Sequence, residues 1–227
     1  MPKKMKHYYS EKLSSNRLKM CYDIAPSRVQ QYLQAEIDYV TEHLKKSDCL
    51  IELGCGYGRV LKPLVSCVSE IIGIDTSRES IMSAIEFIGR SPKCNYLQVN
   101  AISLPFRDHS FDKVVCVQNG ISAFKVDQMQ LLQESIRITR KGGQCLFSSY
   151  AEKFWEDRLD WFLIQSEKGL IGEIDWLKTD SGTIVCKDGF KATTIGPEEF
   201  GNFTSELGVN AEIAEIDNSA VFCVISL

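Results

Sequence analysis

Three glycines crowd into five residues where an apolar run ends. The segment from Cys49 to Val60 reads CLIELGCGYGRV, so a strand-like stretch runs into Gly54, Gly56 and Gly58 and a helical pattern follows. Glycine lets the backbone turn sharply, and lets a ligand approach where a Cβ would otherwise stand. A loop that opens into a helix also presents N–H groups with no partner inside that helix. Such a loop suits the holding of a nucleotide-like cofactor. A dinucleotide loop has the spacing GxGxxG, its third glycine packing helix against strand. Arg59 occupies that third place and Gly58 comes one residue early, which fits the dinucleotide pattern poorly. Asp75 closes the next apolar run, 21 residues after Gly54. A carboxylate there can accept hydrogen bonds from both hydroxyls of a ribose. It could instead cap the following helix, although Thr76 and Ser77 are also cap formers.

Other reactive groups are sparser. Histidine occurs at 7, 43 and 109. His43 falls near the end of a helix and His109 in a turn before a strand. Both belong at the amino edge of a parallel sheet, opposite the edge where ligands bind. His7 lies in an N-terminal arm with Tyr8, Tyr9, Tyr22 and Asp23, and could reach a site if that arm folds over it. Tyr22-Asp23 reads either as such a roof, with Arg28 near enough to meet a carboxylate, or as a tyrosine packed on the sheet. Nine cysteines, at 21, 49, 55, 67, 94, 116, 145, 186 and 223, include no CxxC pair and sit mostly in apolar runs. Buried free thiols are expected rather than metal ligands, and no metal is expected. A reducing, cytoplasmic setting follows.

The elements that must position these groups alternate. Strand-like runs at 48–53, 70–74, 95–99, 111–117 and 143–149 are short and apolar on both faces, as buried parallel strands are. Helical patterns at 58–66, 77–89 and 127–139 lie between them. Strand–helix–strand alternation predicts a doubly wound α/β fold with right-handed crossovers. A helix over about 27–45 precedes the first strand, with Val29, Leu33, Ile37, Val40 and Leu44 at helical spacing. An insertion at 151–195 reads as a helix and then short strands around the turn signals DSG and KDG. Pro197 opens a helix to about 207. Two last strands, 210–216 and 219–226, read as a hairpin around Asp217-Asn218.

With these elements in order, residues 48–150 resemble the class I methyltransferases that use S-adenosylmethionine (SAM), in particular the small-molecule type. Four motifs carry the resemblance: ELGCGYGR, GIDTS, NAISLPFRDHSFDKVVC and RKGGQ. The third is the most specific. The resemblance implies a Rossmann-like, mostly parallel seven-stranded sheet with an antiparallel last strand, which accounts for the terminal hairpin. It implies SAM as cofactor, S-adenosylhomocysteine as product, and the following roles. Gly54, Cys55, Gly56 and Gly58 hug the methionine portion, and Glu52 orients the loop and the amino group. Asp75 takes the ribose, with Thr76 nearby. Asn100 and Ala101 sit at the adenine and Ile102 flanks the ring. Gln118 and Asn119, with Gly120, face the sulfonium. Asn100 stands where the family usually has Asp; its side-chain oxygen can accept the same bond without a charge.

The expected organisation is one domain: a helical arm (1–46), a cofactor core (47–150), a lid insertion (151–195), and a terminal helix and hairpin (196–227). A general base is needed only for a protonated acceptor, and the candidates near the transferring methyl are His7, Tyr22 and Asn119. The insertion carries Phe154, Trp155, Trp161, Phe162, Trp176 and Phe190. Trp155, Leu159 and Phe162 are at helical spacing and read as core, while acids plus aromatics would suit an amine acceptor. With 227 residues and a net charge of −4, the chain suits one sizeable core and a small-molecule acceptor better than a nucleic acid. The support for an RNA or protein acceptor is a basic arm of Lys3, Lys4, Lys6, Lys12, Arg17 and Lys19. A non-catalytic SAM-binding partner is a further alternative. No run of about 18 apolar residues occurs, so no membrane contact is expected. The oligomeric state is not legible.

Overall fold

The computed structural model describes residues 8, 13 and 15–227. His7, Tyr9 and the lysines at 3, 4, 6 and 12 lie outside the described residues. The predicted strands form as β1 (Cys49–Leu53), β2 (Glu70–Asp75), β3 (Cys94–Gln98), β4 (Phe111–Cys116) and β5 (Thr139–Tyr150). After two two-residue strands, β6 (Ile184–Val185) and β7 (Lys191–Ala192), come β8 (Asn210–Ile216) and β9 (Ala220–Ser226). The main sheet has seven strands in the order β3-β2-β1-β4-β5-β9-β8. Its first five strands are parallel, and β9 runs antiparallel to both neighbours. The hairpin turn is Asp217-Asn218, with φ of 53° and 51°. Two successive left-handed residues make the turn whose twist matches that of the flanking strands.

Helices cover both faces. In chain order they are α1 (Ser15–Asp23), α2 (Ser27–Glu42), α3 (Leu61–Leu64), α4 (Arg78–Ile88), α5 (Gly120–Ala123), α6 (Gln128–Ile138), α7 (Trp155–Glu167) and α8 (Pro197–Leu207). Alternate strand residues enter two cores. Leu50, Ile71, Val115, Leu146 and Phe222 pack with residues of α2, α3 and α7. Ile51, Ile74, Val114, Phe147 and Cys223 pack with residues of α6 and α8. The helix expected over 58–66 shrinks to Leu61–Leu64. Gly58 has φ +91° and its N–H donates to the Cys55 carbonyl, so the glycine loop turns once more before a helix can start.

The insertion forms α7 and the β6–β7 pair. Phe154, Trp161, Phe162 and Phe190 are buried in it, whereas Trp176 is 59% exposed. Among the described residues no helix is long and apolar enough to cross a membrane. Strand order reverses between β1 and β4. In open α/β sheets the crevice at the carboxyl ends of strands flanking such a reversal is the ligand site.

Candidate active site

A cavity opens at that crevice. It is lined by the glycine loop, the ends of β2 and β3, the segment after β4, and Leu13, Leu18 and Tyr22 from the N-terminal region. Gly54 opens the turn. Its φ is +73°, and a Cβ there would lie 2.4 Å from the Phe124 ring. Gly58 does not line the cavity. A Cβ on it would meet Ile88 at 2.8 Å and Ala84 at 3.3 Å, so its role is to seat the loop on α4.

Asp75 holds the loop together. One of its carboxylate oxygens accepts from the Gly56 N–H at 3.0 Å and the other from Ser77 N–H at 2.7 Å. The helix cap falls to Ser77, whose hydroxyl accepts from Ser80 N–H. Asp75 is therefore left at the cavity wall with acceptor capacity to spare. Burial raises its pKa, against the pull of the backbone N–H groups.

Glu52 also lines the cavity and is 4% exposed. Its Oε2 has no hydrogen-bond partner among the described residues. Burial pushes its pKa up to about 8, Asp75 adds to the rise, and Arg59 opposes it. A buried acceptor without a donor is costly, and a cationic or N–H-bearing ligand group would relieve it.

Cys55, Thr76, Asn100 and Ala101 line the cavity, but Ile102 does not. The Asn100 side-chain oxygen accepts from Ile102 N–H at 3.2 Å, a local turn that fixes the side chain at the rim.

Beyond β4 the chain takes two consecutive left-handed residues, Gln118 (φ 54°) and Asn119 (φ 60°). Non-glycine residues pay for this conformation and hold it only where surroundings over-determine it. Here they do. Gln118 N–H donates to Glu36 Oε1 (3.0 Å) and Ser148 Oγ (2.8 Å). Its side-chain amide donates to the Tyr150 hydroxyl at 3.1 Å and accepts from the Tyr22 hydroxyl. The Asn119 amide donates to the Thr193 carbonyl and accepts from Ser149 Oγ, each at 2.8 Å. Asn119 thus lines not the large cavity but a smaller one beside it. The two cavities share Leu13, Leu18, Tyr22, Gln118 and Ala123.

Tyr22 is the roof residue that the sequence suggests, and it borders both cavities. Arg28 does meet a carboxylate, but that of Asp217 in the hairpin turn, at 2.6 Å. His43 and His109 bond the carbonyls of Tyr39 and Thr139, at 2.8 and 2.9 Å, and line neither cavity.

Two groups, one half-buried and one fully buried, escape the sequence reading. Arg59 is noticed there only for not being glycine. It lines the cavity, lies 5.0 Å from the Tyr22 ring centroid and bonds the Leu33 carbonyl at 3.3 Å. Glu36 is fully buried and its pKa is raised by burial, with Arg59 and the Ser148 hydroxyl opposing. Its signal was available: a carboxylate on the apolar stripe of α2, between Leu33 and Ile37, needs partners.

A family model described as a methyltransferase domain matches residues 51–147, which includes the glycine loop, Asp75 and the segment after β4. Over that central part, and in its fold, the chain is similar to SAM-dependent methyltransferases. The chain is 30% identical over 141 residues to a demethylmenaquinone methyltransferase of Shouchella clausii, covering 56% of this chain and 58% of that one. It is 28% identical over 126 residues to a bovine protein named "Probable tRNA methyltransferase 9B" (Bos taurus), covering 55% of this chain and 24% of the relative. It therefore spans between a quarter and three-fifths of the length of these two relatives. A SAM-dependent methyltransferase from Methanosarcina mazei has the same fold, with a TM-score of 0.61, 19% identity, and coverage of 83% of this chain and 97% of that one. SAM is the cofactor named for that structural neighbour, and the cavity of this chain suits it on two counts. The turn at Gly54 admits no Cβ, and the buried orphan acceptor on Glu52 suits the amino group of a methionine tail.

Proposed function

We propose that this chain works in the reducing cytoplasm as a SAM-dependent methyltransferase with a small-molecule acceptor. The observation that carries the reading is the pair of cavities meeting at Gln118 and Tyr22. One suits the cofactor and the other has room only for a compact acceptor group. When bound, SAM would supply an electrophilic methyl on a sulfonium, whose neutral thioether is a good leaving group. The chain's own residues then have to orient and enclose. Glu52, the loop at Gly54–Gly56 and Asp75 would hold the cofactor's polar tail and ribose, and Asn100 and Ala101 its adenine. Gln118, locked on four sides, would hold the boundary where the methyl passes. Leu13, Leu18 and Tyr22 cover both cavities and would keep water out. Tyr22 and Asn119 are read as positioning groups, because each is already committed to hydrogen bonds within the chain.

An RNA acceptor draws little support from the described part of the basic arm. Arg17 is spent on the carbonyls of Gly169 and Leu170, and Lys19 on Asp23. Calorimetry with SAM, S-adenosylhomocysteine and NAD in parallel tests the cofactor; the first two are expected to bind and NAD is not. A gel shift with bulk tRNA tests the acceptor. A tight complex that weakens steeply with salt would overturn the small-molecule reading.

A further inference from the structure

The smaller cavity differs from its neighbour in having no charged lining. None of its residues is Asp, Glu, Lys, Arg or His; its walls are aromatic and aliphatic, with the amides of Gln118, Asn119 and Gln165 among them. Two of those amides are committed. Gln118 is bonded to Tyr22 and Tyr150, and Asn119 to Thr193 and Ser149. Gln165, on α7, is not. It is 2% exposed, and its side-chain nitrogen has no hydrogen-bond acceptor among the described residues.

Buried amide donors are almost always satisfied, and one left empty costs free energy that a ligand acceptor can recover. The faces of Tyr22, Tyr150 and Phe162 already meet guanidinium groups. The Arg59 guanidinium lies 5.0 Å from the Tyr22 centroid. That of Arg158, 1% exposed, lies 4.4 Å from Tyr150 and 5.5 Å from Phe162. A cation entering this cavity would find those π faces shared with guanidinium groups and no carboxylate on the walls. An anion would find those guanidinium groups only behind the rings, so an ion of either sign would be desolvated with no charged partner on the cavity wall.

We infer that the smaller cavity is the acceptor site, that it takes an uncharged molecule, and that Gln165 reads an oxygen acceptor on it, such as an amide or ketone carbonyl. This rests on the proposed methyl transfer and sharpens it. It also replaces the amine acceptor suggested by the acids and aromatics of the insertion: the aromatics Trp161 and Phe162 reach the cavity and none of the acids does.

The test uses the full chain saturated with S-adenosylhomocysteine and three probes of one size: benzamide, benzylamine and benzoate. Binding is read by ligand-observed NMR and competition calorimetry. Benzamide is expected to bind most tightly. Gln165→Leu and Gln165→Met are expected to weaken benzamide about five- to tenfold while leaving S-adenosylhomocysteine affinity and Tm unchanged or Tm higher, because the amide nitrogen has no partner to lose. Benzylamine or benzoate binding at least as tightly as benzamide overturns the inference. So does benzamide binding that neither variant alters, or no binding of any probe to the loaded protein. If S-adenosylhomocysteine itself fails to bind the unsubstituted chain, the methyltransferase reading fails instead, which keeps the two failures apart.

Discussion

The two cavities share a wall but are made in opposite ways. The larger is built chiefly from backbone and strand ends between Glu52 and Val126, and its shape depends on a glycine turn and on N–H groups held by Asp75. The smaller is built from side chains that stand far apart in sequence: Cys21, Gln118, Tyr150, Trp161 and Ala192. A common cofactor can be met by a local, nearly fixed backbone device, whereas an acceptor site is assembled from whatever elements the fold brings over the sheet edge. Loops and insertions on a rigid scaffold are where such variation is tolerated.

Substitutions should separate the two constructions. The largest effect is expected from Gly54→Ala. The new methyl would sit 2.4 Å from Phe124 at a φ of +73°, so stability should fall by about 2–4 kcal/mol and SAM binding should be lost. Thermal melts and calorimetry measure both; a variant that binds SAM normally would show that the turn is not the cradle. Asp75→Asn comes next. It weakens the clamp on Gly56 and Ser77 and the ribose acceptor together, and SAM affinity should drop roughly 10- to 100-fold. An unchanged dissociation constant would strip Asp75 of that role.

Asn119→Ala should act on the other side. It breaks the links to Ser149 and Thr193 that tie the end of the insertion to the segment after β4, with an expected cost of about 1–3 kcal/mol. SAM affinity should change less than about threefold, since Asn119 lines only the smaller cavity. A larger loss in calorimetry would mean that the cavities are not separable.

Glu52 gives a pH signature. Its pKa of about 8 in the folded chain stands above the ordinary value of 4.5. Between those values the folded chain holds a proton that the unfolded chain has released, so this group makes stability fall as pH rises through that window. Glu52→Gln should flatten the Tm–pH profile there; a profile identical to that of the parent chain would show that Glu52 is ionised despite its burial. The smallest effect is expected at Trp176, 59% exposed on the insertion and lining neither cavity. Trp176→Ala should change stability by no more than about 0.5 kcal/mol and leave acceptor binding alone.

Much of the larger cavity was legible in advance. Glu52, Gly54, Cys55, Gly56, Asp75, Thr76, Asn100, Ala101 and Gln118 all line it. Gly58 and Ile102 stand beside it for local reasons, one seated on α4 and the other closing a turn with Asn100. Around the smaller cavity the sequence pointed to the aromatic insertion but not to Gln165 or Tyr150, because a glutamine on a helix or a tyrosine ending a strand carries no signal of what will face it.

The sequence by itself determined the strand order of events: apolar runs of strand length, a glycine turn, an acid at the next strand end, and a left-handed Asp217-Asn218 hairpin. These follow from dihedral and hydrogen-bonding rules that act over a few residues. Only the tertiary structure decided that Glu36, Ser148, Tyr150 and Tyr22 would surround Gln118, and that α1 and α7 would close a pocket of neutral groups. Those contacts to Gln118 join residues 30 to 96 positions apart, and nothing in local spacing encodes them; they exist because packing of the whole sheet leaves those side chains no other place to be.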